Sequence, residues 1–246
     1  MGGEIKLKIA IIGTRGVPAR YGGFETCAEE ISVGLVSRGH QVTVYCRYGN
    51  VPSSLKEYKG VKLVYVPCFK TKVLGTFSHA FFSFLNSLFC RYDVLMVFNA
   101  AISPLCIIPK IFFRKIVLNV DGLEWKRKKW GLIGKRYYQI CEFISTLVAN
   151  RIVADSNAIQ KYYVEKFHIP STFIAYGAHI ENSSKPEILK DYVVGKGEYF
   201  FVASRLEEEN NADITVKAFE KVTTDKKLLI AGGANYKSKF IRIDEN

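Results

Sequence analysis

The sequence has no CxxC pair, no clustered histidines and no uninterrupted run of about 20 apolar residues. Each absence excludes something. The six cysteines, at 27, 46, 68, 90, 106 and 141, lie far apart and mostly in apolar segments. They read as buried free thiols of a reducing compartment, and neither a disulfide framework nor a metal site is expected. The two longest apolar stretches are 73–89, broken by His79 and Asn86, and 94–113, broken by Asn99, Pro104, Pro109 and Lys110. Neither reads as a membrane span, and the short apolar run before Gly13 is too brief for a signal peptide. A cytoplasmic protein is expected, with attachment to the inner membrane face left open.

Acidic residues are also scarce. Only 23 Asp and Glu stand against 35 Lys and Arg, a net charge of +12, which favours anionic partners. No helix-turn-helix, RRM or zinc spacing accompanies the charge, so nucleic acid is not an expected partner. Six basic residues fall at 126–129, 135 and 136, interleaved with Trp125, Trp130, Tyr137 and Tyr138. Two readings stay open: a solvated helix face whose aromatics pack inward, or a patch for an anionic membrane surface or phosphate.

Short apolar runs alternate with helical patterns. Strands are expected at 8–12, 42–46, 61–66, 94–98, 116–120, 152–154 and 172–175. Helices are expected from Phe24 to a glycine stop at Gly39, and over 77–88, 133–149 and 158–167. This is α/β: a Rossmann-like parallel sheet covered on both faces, over residues 1–180. Residues 181–197 are polar and read as a linker. From 198 to 246 a second Rossmann-like unit begins, with strands at 199–203 and 228–231 around one helix. That is too little for a complete domain, and the chain is expected to be truncated relative to the protein its sequence was shaped for.

The first strand runs into Gly13-Thr14-Arg15-Gly16 and then Arg20-Tyr21-Gly22-Gly23. Four glycines exceed what one turn needs, so the backbone is expected to approach something closely, and the two arginines suggest an anion. The spacing is not GxGxxG, no acidic residue follows the second strand, and no Walker lysine is present. Gly22-Gly23 sits where a helix begins, the place where free N–H groups hold an anion, although a tight turn would use the same pair.

This loop, with Phe24-Glu25-Thr26, resembles the opening of a bacterial branch of glycosyltransferase family 4 described as rhamnosyltransferases. So do Val120-Asp121-Gly122-Leu123-Glu124-Trp125, Ala154-Asp155-Ser156, Ala175-Tyr176-Gly177-Ala178 and Ala203-Ser204-Arg205-Leu206 with Glu209-Asn210-Asn211. The resemblance implies the GT-B fold of two facing Rossmann-like halves. It also implies metal-independent, retaining transfer of a sugar, rhamnose in this branch, from a nucleotide-sugar donor to a cell-surface glycan or lipid-linked acceptor. On that basis Gly22 and Gly23 would bind the donor diphosphate, with Arg205 and Asn210 from the second half. Asp121 and Glu124 would face the sugar or acceptor hydroxyl, and Arg15, Arg20, Tyr21 and Trp125 would bind the acceptor. The alternatives are that Asp121 caps a helix or pairs with the basic cluster, and that the arginines only pin their loop.

Two departures matter. The family's second diphosphate lysine is replaced by Asn210, which brings no charge. The family's paired glutamates are absent, since no two Glu stand eight positions apart. A 246-residue chain that is the whole protein is therefore expected to show negligible turnover. The competing reading is a non-catalytic basic module that docks on anionic membrane or on a partner enzyme.

Overall fold

The structure, a computed structural model, describes residues 5–20, 22–69, 71, 74–179, 187–206 and 210–233. It divides into two compact units, Met1–Gly177 and Ala178–Asn246.

The first unit opens with strand β1 (Lys8–Ile12), helix α1 (Gly23–Ser37), β2 (Gln41–Arg47), β3 (Glu57–Tyr58), β4 (Val61–Val66) and α2 (Leu74–Leu88). After β5 (Val94–Phe98) a 3-10 segment (Ala100–Cys106) leads into α3 (Ile107–Ile111). Then come β6 (Ile116–Asn119), a 3-10 turn (Glu124–Lys126), α4 (Leu132–Val148), β7 (Arg151–Ala154), α5 (Asn157–Phe167) and β8 (Thr172–Phe173). The sheet order is β3-β4-β2-β1-β5-β6-β7-β8. Every pairing is parallel except the short β3–β4 ladder.

Continuous apolar strands are what a doubly covered sheet requires. Ile11, Val44 and Leu63 pack beneath α1, while Ile12, Leu95, Leu118 and Ile152 pack beneath the helices of the opposite face. α1 stops where the sequence placed its glycine: Gly39, at φ +84°, donates to the Val36 carbonyl and His40 to that of Leu35. This double bond closes the helix end through a residue that tolerates left-handed backbone.

Two expectations change. Strand β3 was not foreseen, because two residues carry no pattern of their own and pair only through β4. The stretch 94–113, not expected to span a membrane, is the expected strand followed by two short helices. Of the six free cysteines only Cys46, Cys106 and Cys141 are buried; Cys27, Cys68 and Cys90 are partly exposed, near element ends.

The second unit holds α6 (Ile188–Asp191), β9 (Tyr199–Ala203), α7 (Ala212–Phe219) and β10 (Lys227–Ala231), with β9 and β10 paired in parallel. Residues 187–197, expected as linker, contain α6 and are tied to β10, where Lys227 Nζ donates to the Val193 carbonyl. Residues 180–186 lie outside the described set.

Candidate functional site

Sheet order reverses between β1 and β5, and in open parallel sheets a ligand crevice lies outside the carboxyl ends of the strands at that point. The glycine loop leaves β1 there, and its four glycines divide into two pairs. Gly13 has φ +105°, and a Cβ on it would lie 2.1 Å from the Phe98 carbonyl oxygen of β5. Gly16 has φ +121°, and its Cβ would lie 2.7 Å from Cys46 Sγ of β2. These two let the loop press against the neighbouring strand ends. Gly22, at φ +82°, precedes α1, and Gly23 begins it with nothing within 4 Å of an added Cβ. The close approach expected of all four glycines is therefore internal at Gly13 and Gly16. Only the second pair is open at the helix start, whose first N–H groups have no intrahelical acceptor.

α1 holds the loop with two carboxylates one turn apart. Glu25 Oε1 accepts from the Arg15 amide at 3.1 Å, and Glu29 Oε2 from the Ala19 amide at 2.6 Å. Glu29 Oε1 also accepts from the Tyr58 hydroxyl at 2.7 Å. The Arg15 carbonyl accepts from the Arg47 amide at 3.1 Å, which ties the loop to the end of β2. The Arg15 side chain is half-buried and that of Arg20 is exposed; Tyr21 lies outside the described residues.

At the ends of β6 and β7 the chain gathers acids. Asp121 is half-buried, and burial raises its carboxyl above the usual range. The Gly122 amide counters this, Glu124 and Asp155 add to it, and Arg127 opposes it. Tyr176, after β8, has its hydroxyl pushed well up by burial, with Cys27, Asp121 and Asp155 adding and the Asn119 amide countering. Burial, then Asp155, lift the Cys27 thiol to about 11. Cys27 lies one turn into α1, so the helix start and the acid pair belong to one neighbourhood. Asn119, Asp155, Tyr176 and Cys27 were missed as functional candidates. Two of them stood inside quoted motifs, and the strand-end rule would have selected Asn119 and Asp155.

Glu124 is engaged on both oxygens. Oε1 accepts from Arg127 Nη1 at 2.7 Å, and Oε2 accepts from Trp130 Nε1 at 3.0 Å and pairs with Lys129 Nζ at 3.3 Å. These partners outweigh burial and hold its carboxyl below the ordinary range. The pairing with the basic cluster that was left open for this motif is realised at Glu124. Trp125 turns elsewhere: Lys126 Nζ lies 5.5 Å and Lys166 Nζ 5.7 Å from its ring. Lys166 also bonds the Tyr162 hydroxyl, and that hydroxyl donates to Glu142 Oε2 at 2.7 Å. The Asp121 loop is thus clamped on one side by Glu124 and on the other by Trp125.

In the second unit Asn210 Nδ2 donates one of its two hydrogens to the Arg205 carbonyl at 2.7 Å, which ties it to the loop that presents Arg205. Gly232 repeats the device of Gly13: its Cβ would lie 2.0 Å from the Ser204 carbonyl. Among the described residues, no three His, Cys, Asp or Glu side chains come together as metal ligands.

Residues 92–179, which carry Asp121, Asp155 and Tyr176, match a domain of unknown function, DUF1972. The alpha-1,3/1,6-mannosyltransferase ALG2 of Yarrowia lipolytica is 24% identical over 262 residues, covering 92% of this chain and 54% of that protein. Sucrose-phosphate synthase from Thermosynechococcus elongatus superposes with a TM-score of 0.75 at 14% identity, over 96% of this chain and 64% of that one. Anabaena HepE, in complex with UDP and glucose, gives 0.69 at 16% identity, over 94% and 62%. The chain spans about half the length of the mannosyltransferase and under two thirds of these structures. At such identities the likeness shows the fold, α/β with a mostly parallel sheet, as in the Rossmann-like domains of GT-B glycosyltransferases.

Proposed function

We propose that this chain carries out the acceptor-side and part of the donor-side work of a glycosyltransferase that moves a sugar, rhamnose by its motifs, from a nucleotide-sugar to a glycan or lipid-linked acceptor. One observation carries the reading. The open start of α1 and the desolvated Asp121 share the switch-point neighbourhood of the sheet, joined through Cys27, Asp155 and Tyr176. Transfer needs both features: fixed dipoles for a departing diphosphate and a carboxylate for sugar or acceptor hydroxyls. Gly22 and Gly23 offer N–H groups to the diphosphate. Asp121 takes the sugar or acceptor hydroxyl, Glu124 positions its loop, and Arg15 and Arg20 face the acceptor. The complex of the structurally similar HepE with UDP and glucose supports a nucleotide-sugar donor, the sequence likeness to a mannosyltransferase supports sugar transfer, and a lipid-linked acceptor would bring the protein to a membrane face.

Binding is the measurement to make with this chain, because no two glutamates stand eight apart. Titration calorimetry with UDP-, dTDP- and GDP-sugars should show one class bound, weakened at least about tenfold by Gly23→Ala, which blocks a close backbone approach without a clash. If no nucleotide diphosphate binds, or if Gly23→Ala leaves affinity unchanged, the reading fails.

A further inference from the structure

The helices over one face of the first sheet are built the wrong way round for a protein surrounded by water. In α4 the inward positions are Cys141, Glu142, Ser145 and Val148, whereas Ile133, Ile140, Phe143 and Leu147 point outward at helical spacing. A surface helix ordinarily puts its large apolar residues beneath it. α2 is mixed: its buried face joins Gly75, Ser78, Ser83 and Ser87 to His79, Ala80 and Phe84, while Phe81 and Phe82 are a little over one third exposed.

The buried serines need no solvent. Ser83 donates to the His79 carbonyl at 2.7 Å, Ser87 to Phe84 at 2.7 Å and Ser145 to Glu142 at 2.6 Å. Small, self-satisfied residues between helices with bulky apolar ones outside is the arrangement seen where the surroundings are lipid. Exposure is greatest at Ile133, 89%, and at Phe113, just beyond α3, 95%. α2 and α3 lie side by side, and Arg114 Nη2 bonds the Leu88 carbonyl at 3.0 Å, which ties the end of α2 to the chain just after α3. α2 and α4 both pack on the 3-10 segment that leads into α3, so the three helices belong to one layer over this face of the sheet.

Charge selects the kind of apolar partner. Helices α2, α3 and α4 carry one acidic residue between them, Glu142, and it is buried. They carry the basic residues Lys110, Lys135 and Arg136, of which Arg136 is exposed. A face with basic residues and no exposed carboxylate on its helices matches an anionic headgroup layer. No helix among the described residues is long and apolar enough to cross a membrane, so contact would be made by helices lying flat.

We propose that the outer face of α2, α3 and α4 is a docking surface for a bilayer containing anionic lipid, its apolar side chains entering the interfacial layer and its Lys and Arg residues meeting the headgroups. The basic aromatic stretch is only its edge. Trp130 and Tyr138 stack on each other with centroids 5.0 Å apart, and Tyr137 bonds the Ala101 carbonyl at 2.6 Å, so those rings serve the fold.

Flotation of the full chain on vesicles of equimolar phosphatidylcholine and phosphatidylglycerol, against phosphatidylcholine alone, tests this. The chain should float with the mixed vesicles and about tenfold less with the neutral ones. The triple variant Ile133→Glu, Ile140→Glu, Leu147→Glu should lose roughly 100-fold in partitioning. Its thermal transition should stay in place, since the three positions face outward, and so should any nucleotide-sugar binding. Failure of the wild type to float on either vesicle overturns the proposal, as does a triple variant that floats equally well. Equal flotation on neutral vesicles overturns the assignment to anionic lipid. A wild-type dimer that the triple variant converts to monomer assigns the face to a second copy of the chain instead.

Discussion

Gly13 and Gly23 belong to one loop and should answer oppositely to the same change. Gly13→Ala places a methyl group against the Phe98 carbonyl at positive φ and should cost about 3 kcal/mol or more in urea denaturation. Gly23→Ala should leave stability unchanged or raise it by about 0.5 kcal/mol, because the site is open and helical. Equal losses from both would mean that the start of α1 is packed. Asp121 invites a second test. Its carboxyl is raised in the fold, so the folded chain holds the proton more tightly than the unfolded one, and the charged form is a liability at neutral pH. Asp121→Asn should therefore raise stability by about 1 kcal/mol at pH 7, a gain that disappears below about pH 4. The same variant should weaken binding of the nucleotide sugar while leaving the bare nucleotide diphosphate unaffected. Equal weakening of both ligands would move Asp121 away from the sugar.

At the scale of elements, β1, β4, β5 and β9 fall where their apolar runs placed them; for β1 and β5 the reason is that a strand buried on both faces leaves a continuous signature bounded by turns. What was not legible is how α1 governs the loop. Glu25 and Glu29 read as the polar face of a helix, yet their partners are backbone amides ten residues earlier, and backbone amides leave no mark in a sequence. The role of Glu124 was hidden for a related reason: the choice between substrate and neighbouring cations depended on how the turn over Glu124–Lys126 folds back. Within α2, His79 is wholly buried, and burial followed by the Arg47 charge depresses its pKa to about 3. The unfolded chain takes up this proton near pH 6.5 and the folded chain does not, so stability is full above that value and declines as pH falls toward 3. In urea midpoints measured from pH 7 to pH 4, His79→Leu should decline less steeply than wild type. Parallel slopes would show that other groups set the acid sensitivity.

Across the whole molecule the core is unequally shared. Every apolar residue buried among the described residues lies between Ile9 and Tyr163, and none belongs to the second unit. Phe200, Phe201 and Ile214 are exposed there, so β9, α7 and β10 have little to hold them without further burial. Residues 1–177 expressed alone should keep the main thermal transition within a few degrees, and residues 178–246 alone should show no cooperative melting by circular dichroism. A sharp transition from the shorter fragment would show that the second unit is self-sufficient.

The inverted helices also bear on how this protein responds to engineering. Because Ile133 and Leu147 add little to the interior, rounds of selection for heat resistance or soluble yield would meet no resistance when replacing them with polar residues. Such a campaign would return a better-behaved molecule in the test tube that had lost its attachment to the surface on which it works. The defect would stay hidden until the improved variants were returned to living cells.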